Sequence, residues 1–162
     1  MTAIQSIATA TTSLYEQDIY LWLQTNINLL KEGRVAEIDL ENLLEELESL
    51  GRSEKNALKS NLRVLIMHLL KYKYQSEKRT NSWIYTIREH RKRIRDTFQS
   101  SPSLYRFFED IFDESYQDAR ELAADETGLS IQIFPPESPF TREEVLNPDF
   151  LPADNEPAEN ME

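Results

Sequence analysis

Residues 64–70 constrain this chain more than any other stretch. Val64, Leu65, Ile66, Met67, Leu69 and Leu70 cover every direction around a helix axis at about 100° per residue. A helix that is apolar all round must be enclosed by neighbours. The run is too short to span a bilayer, which takes ~20 apolar residues, and His68 interrupts it. It therefore belongs at the centre of a water-soluble helical bundle, and the rest of the sequence has to supply the helices that wrap it.

The periodicity supplies them. Tyr15, Ile19, Trp22, Leu23, Leu29 and Leu30 share one face of a first helix that opens on Ser13 and Glu16 and closes at Gly33. Ser13 and Glu16 have capping-box spacing, in which each side chain satisfies an orphan amide. A second helix starts at Asp39, a good N-cap. Its stripe of Leu40, Leu43, Leu44, Leu47 and Leu50 keeps phase with Leu58, Leu62, Leu65, Leu69 and Tyr72 across Gly51. That match favours one long helix, bent at the glycine, with a break at Gly51, the commonest helix stop, as the alternative. A further helix runs from Asn81 or Ser82 to about Phe98 on Trp83, Ile87, Ile94 and Phe98. The next has Ser101 as N-cap and Pro102 at the first helical position, then Leu104, Phe107, Phe108, Ile111, Ala119 and Leu122, and Gly128 after its end. Five of the seven prolines follow before Asp154. Thr141 and Glu144 have the spacing of one more capped turn. The alternation over residues 129–134 is too short for a strand.

The expectation is an all-α, compact bundle of about five main helices with a long or bent central helix. A short proline-rich C-terminal extension follows it. Residues 13–151 make a single helical domain, residues 1–12 are a disordered N-terminus and residues 152–162 a disordered acidic tail. No cysteine is present, so disulfides, thiolate metal sites and cysteine nucleophiles are excluded. The first thirteen residues hold no Lys or Arg and lack the charged start of a signal peptide. Together these features suit a cytoplasmic protein that does not enter a membrane.

Charge is divided unevenly. Residues 71–95 hold nine basic residues against Glu77 and Glu89, net +7, in a chain of net charge −11, so the remainder sums to −18. Lys73, Lys78, Arg79, Arg88, Lys92, Arg93 and Arg95 form a candidate basic surface. A surplus of this kind points to a partner, yet the neighbouring helices are acidic enough to neutralise it internally. Strong nucleic-acid binding is therefore not expected, although a nucleic-acid role for this face is an alternative.

The second candidate region is interior. Arg91 falls in direction among Trp83, Ile87, Ile94 and Phe98, so a permanent charge lies on a core-facing stripe, and Asp118 falls between Ile111 and Leu122. A buried charge needs a partner. The expectation is an ion pair from Arg91 to Glu46, Glu48 or Asp118, with a cleft for an anionic ligand as the alternative. His68 reads as a neutral, hydrogen-bonded core histidine, or else as a proton acceptor in a polar interior site with Arg91 and the helix-2 glutamates. Glu45, Glu46 and Glu48 read as a solvated acidic face rather than metal ligands, because the Glu-x-x-His motif of carboxylate-bridged metal bundles is absent. Gly-rich phosphate loops, nucleophile elbows and zinc signatures are absent too. Ser53, Ser82 and Ser115 have no triad spacing. No catalytic residue, metal or cofactor is assigned.

The segments YEQDIYLWL, DLENLLEELESLGRSEKNAL, HLLKYKYQ, SWIYTIREHRKRI, SPSL, YQDARELAADETGL and PFTREEVLNPDFLP together resemble the helical family catalogued as domain of unknown function number twenty-nine, abundant in photosynthetic bacteria. The resemblance covers about Tyr15 to Pro152. It implies an all-helical domain in a bacterial cytoplasm and brings no activity with it. The resulting functional expectation is a non-enzymatic interaction or regulatory module with a protein partner, or with a second copy of itself. The alternatives are a ligand-binding protein or enzyme built on the interior site, and a nucleic-acid-associated protein.

Overall fold

A computed structural model describes residues 14–153. Every regular element among the described residues is helical. The main helices are α1 (Ile19–Lys31), α2 (Leu40–Tyr74), α3 (Asn81–Ser100), α4 (Leu104–Thr127) and the short α5 (Arg142–Leu146). Turns of 3-10 helix lie at Val35–Glu37, Ser76–Lys78 and Ile131–Ile133. The chain divides into two compact units, Met1–Ser53 and Glu54–Glu162.

In Met1–Ser53, residues 14–17 are helical and the run breaks at Asp18, whose carboxylate accepts the Leu21 amide and caps α1. The expected Ser13–Glu16 capping box lies partly outside the described residues. At the other end Gly33 has φ +69, its N–H reaches Leu30 O and the Arg34 N–H reaches Leu29 O. Those two bonds define a Schellman stop, and glycine takes the left-handed turn without a Cβ penalty. The first-helix stripe does not become a core. Of its members only Trp22 is buried, while Ile19, Leu23 and Leu30 are exposed.

Polar groups organise this unit instead. Trp22 Nε1 donates to Asp39 Oδ2 at 2.9 Å, and the Asp39 amide donates to Asn26 Oδ1 at 3.0 Å. Asn42 also binds Asp39, through its amide and through its side chain. Asp39 is thus the N-cap of α2, as its residue type predicts, and also the anchor that joins α1 to α2. Tyr15 packs edge-on against Trp22, with ring centroids 4.9 Å apart.

α2 is continuous through Gly51 for 35 residues. No atom lies within 4 Å of a Cβ built at Gly51. In Glu54–Glu162 its second half holds Leu58, Leu62, Leu65, Ile66, Leu69 and Leu70, all at 0 % exposure. Ile87 and Ile94 of α3 join them, with Phe108, Phe112, Tyr116, Ala119 and Ala123 of α4. The all-round apolar segment is the centre of this core, as its pattern demands.

α3 starts on Thr80, whose hydroxyl accepts the Trp83 amide. The α3–α4 connection differs from expectation. Ser101 closes α3 through its amide to Thr97 O, Pro102 and Ser103 form a turn, and α4 begins at Leu104. The link is so short that the serine expected to open one helix is used to end the other. α4 ends at Gly128, φ +70. Beyond it Phe134, Phe140 and Val145 return to the core. Thr141 and Glu144 form the expected capping box, with bonds of 2.9 and 3.1 Å.

Candidate functional site

Arg91 is buried on the core-facing stripe of α3, as its direction predicts, and is 4 % exposed. Its partners are not carboxylates. Nε donates to Val145 O at 2.8 Å, Nη2 to Glu144 O at 3.1 Å and Nη1 to Phe150 O at 2.7 Å. The physical reason lies in α5. A five-residue helix leaves its last carbonyls without internal partners, and a cation at that end also meets the negative pole of the helix dipole. Arg91 is therefore the C-terminal cap of α5, and it ties residues 144–150 to α3. Burial pulls its pKa down to about 10, so it stays charged at neutral pH.

The carboxylates expected around Arg91 are engaged elsewhere or lie apart from it. Glu46 accepts the Tyr15 hydroxyl at 2.6 Å, and that bond raises the tyrosine pKa. Glu48 and Glu45 pair with Arg52. Asp118 is half-buried and acts electrostatically on Lys59, whose ammonium bonds Glu114 at 2.7 Å. Among the described residues there is no group of three or more His, Asp or Glu side chains placed to hold a metal ion.

His68 is half-buried in the core run and donates Nδ1–H to Val64 O at 3.0 Å. His90 Nδ1 lies 2.8 Å from Asn61 Oδ1. Burial lowers both pKa values, helped by Lys71 near His68 and by Arg93 and then His68 near His90. Both imidazoles are neutral at neutral pH, in line with the core-histidine reading of His68.

A second buried cation, Lys71, pairs with a carboxylate that is itself exposed. Lys71 is 4 % exposed, bonds Glu126 at 2.7 Å and sits 4.5 Å from the centroid of the Trp83 ring. Lys71 lies one turn beyond Met67 on α2 and so continues a buried direction. That spacing was the available signal.

The basic stretch separates into two sets. Lys71 is internal, Arg93 pairs with Glu89 on its own helix, Lys73 reaches Ala153 O and Arg79 stacks on Tyr72 while bonding Tyr72 O. Lys78 is exposed. The other set is Arg88, Lys92 and Arg95, all exposed and all on one side of α3. With Arg91, Phe98 and Gln99 they line a cleft of about 730 Å³, closed on its far side by Leu146, Pro148 and Asp149. Arg91 bonds the carbonyls that hold this wall in place, so the buried arginine builds a cleft whose charge comes from its exposed neighbours.

The fold of the described residues is all-helical. The model of the family described as domain of unknown function DUF29 matches residues 14–151, and the chain belongs to that family. Comparison with curated proteins returned no match, and comparison with solved structures returned none either. No described helix is long and apolar enough to cross a membrane.

Proposed function

We propose that this chain is a non-enzymatic interaction module that receives a protein partner on the leucine face of Met1–Ser53. The observation that carries the reading is the exposure of that face. Leu40, Leu44, Leu47 and Leu50 are 70, 54, 59 and 61 % exposed. With Leu43 they occupy two heptads of α2, in which Leu40, Leu43, Leu47 and Leu50 take the a and d seam. Ile19, Leu23, Ile27 and Leu30 of α1 are exposed as well. A row of exposed leucines on one helix face marks an interaction surface.

Charge selects the partner. Met1–Ser53 carries nine acidic residues against Lys31, Arg34 and Arg52, net −6. Glu46, at the g position, flanks the seam, and Glu41 and Glu48 lie farther round at b. Two like-charged copies repel, so the face suits a different protein presenting an apolar helix with Lys and Arg beside its seam. Helices of that kind dock by their i, i+3, i+4 and i+7 anchors.

The test uses two synthetic helical peptides with one leucine seam, flanked by Lys in one and by Glu in the other. The Lys peptide is expected to bind, and to lose at least tenfold in affinity against Leu44→Glu/Leu47→Glu, a surface variant whose helix content by circular dichroism should not change. Equal binding of both peptides, or unchanged binding by the variant, refutes the reading. A dimer seen by light scattering that dissolves in the variant would make the occupant a second copy and would refute it equally.

A further inference from the structure

We infer that the α3 cleft in Glu54–Glu162 is a binding site for a free nucleoside polyphosphate. The inference is independent of the leucine face. Its first support is uncommitted charge. Most cations of residues 71–95 are spent on carboxylates, carbonyls or rings, but Arg88, Lys92 and Arg95 have no carboxylate or carbonyl partner among the described residues. Three free cations on one face, beside a single lining carboxylate, Asp149, leave a local surplus of two positive charges before Arg91 is counted. One carboxylate ligand would neutralise one of them. A polyphosphate matches the set.

Spacing is the second support. Positions 88, 92 and 95 follow one another by four and three residues, so they lie within about 60° of one another around α3 and span roughly 10 Å along it at ~1.5 Å per residue. That row suits a chain of linked phosphates rather than one compact anion. Arginine contributes forked donors that match phosphate oxygens, and lysine a point charge.

The third support is the apolar part of the lining. Phe98, one turn past Arg95 on α3, and Leu146 and Pro148 of the facing wall give the lining an apolar part. The Phe98 ring is held edge-on by Tyr105 and Phe108, with centroids 5.3 and 5.7 Å away, so it is fixed in position. A planar base against Phe98, with its phosphates running back along α3 toward Arg88, uses both the apolar and the basic lining. Asp149 repels phosphate at its own place and can accept a hydrogen bond from a ribose hydroxyl or an exocyclic amine. The volume of about 730 Å³ falls in the range of small-molecule sites. A nucleic-acid strand would have to continue past the cleft along an acidic molecule, whose field opposes it.

Isothermal titration of the full chain tests this with three probes, namely ATP without magnesium, inorganic tripolyphosphate, and a single-stranded ten-nucleotide DNA. ATP is expected to bind, to weaken as salt rises, and to lose at least tenfold in affinity against Lys92→Glu/Arg95→Glu, both surface positions. Tripolyphosphate should bind several-fold more weakly than ATP, because it leaves Phe98 and Pro148 uncovered. Asp149→Ala should weaken ATP while leaving tripolyphosphate equal or tighter. Absence of ATP binding at millimolar concentration overturns the proposal. So does tripolyphosphate matching ATP, which would make the cleft a general anion patch. Tighter binding of the oligonucleotide, lost in the same double variant, would assign the cleft to a nucleic-acid strand instead.

Discussion

Replacing Arg91 by alanine should uncouple residues 144–150 from α3. The side chain makes three charge-assisted bonds to Val145, Glu144 and Phe150 carbonyls, of 2.8, 3.1 and 2.7 Å. Bonds to a charged donor contribute roughly 1.5–3 kcal/mol each, and three at the lower bound give about 4.5 kcal/mol. Alanine also removes the cost of burying the cation, which the lowered pKa makes evident. Water reaches part of the freed carbonyls. A net loss of about 3 kcal/mol is therefore expected, at the lower edge of what breaking a buried charged interaction costs. For a domain of this size that is a fall in Tm of roughly 10–20 °C. Arg91→Lys separates shape from charge. A lysine ammonium keeps the charge but lacks the fork, so it should recover only part of the loss. Differential scanning calorimetry gives the stability, and amide hydrogen exchange locates it. Protection should fall first at residues 142–150, while Leu65 and Leu69 amides lose only what global stability requires. A Tm within 3 °C of wild type, with exchange unchanged at residues 142–150, would refute the capping role.

Two shorter predictions accompany it. His68 and His90 have folded pKa values below the unfolded value of about 6.5, so the unfolded chain binds more protons as pH falls through that value. Their contribution is fully present above about pH 6.5 and is lost as pH drops toward the folded pKa values. The denaturation midpoint should fall between pH 7 and 5, and His68→Gln/His90→Gln should flatten that segment of the profile; an unchanged slope would contradict the assignment. Gly51 lies inside a continuous helix with nothing within 4 Å of a Cβ built there, so Gly51→Ala should stabilise by about 0.5–1 kcal/mol, read as a higher urea midpoint; destabilisation would mean that the helix breaks at Gly51 in solution.

The core of Glu54–Glu162 was legible because helical periodicity reports burial directly. Leu58, Leu62, Leu65, Leu69, Ile87 and Ile94 are all interior. Periodicity cannot tell a stripe that meets its own chain from one that awaits something else. The Leu40–Leu50 stripe and the first-helix stripe have the same pattern as the core, and most of their members are exposed. Direction likewise placed Arg91 inside but could not name its partner. Main-chain carbonyls carry no sequence signal, and the short α5 that leaves them free lies more than fifty residues away. The cleft combines α3 with the residues 146–149 wall for the same reason, so only its basic side was visible in the sequence. Asp39 was readable as a helix cap, whereas its bond to Trp22 depends on a turn geometry that no local pattern announces. Asn26, one turn after Trp22 on an otherwise apolar stripe, was the one hint of it.

α2 is 35 residues long and contributes residues to both Met1–Ser53 and Glu54–Glu162. Starting a helix is the unfavourable step, and lengthening one is easy. The buried half of α2 has a hydrophobic core to hold its first turns, while the exposed half has a leucine face that no described residue of its own unit covers. Order should therefore spread backward along α2, from Leu70 toward Leu40. The sequence of events in folding would run against the direction of synthesis, with the Asp39 anchor set last. Until the C-terminal core has closed, a nascent chain would show its leucine seam only as a frayed helix end, unable to present a finished surface.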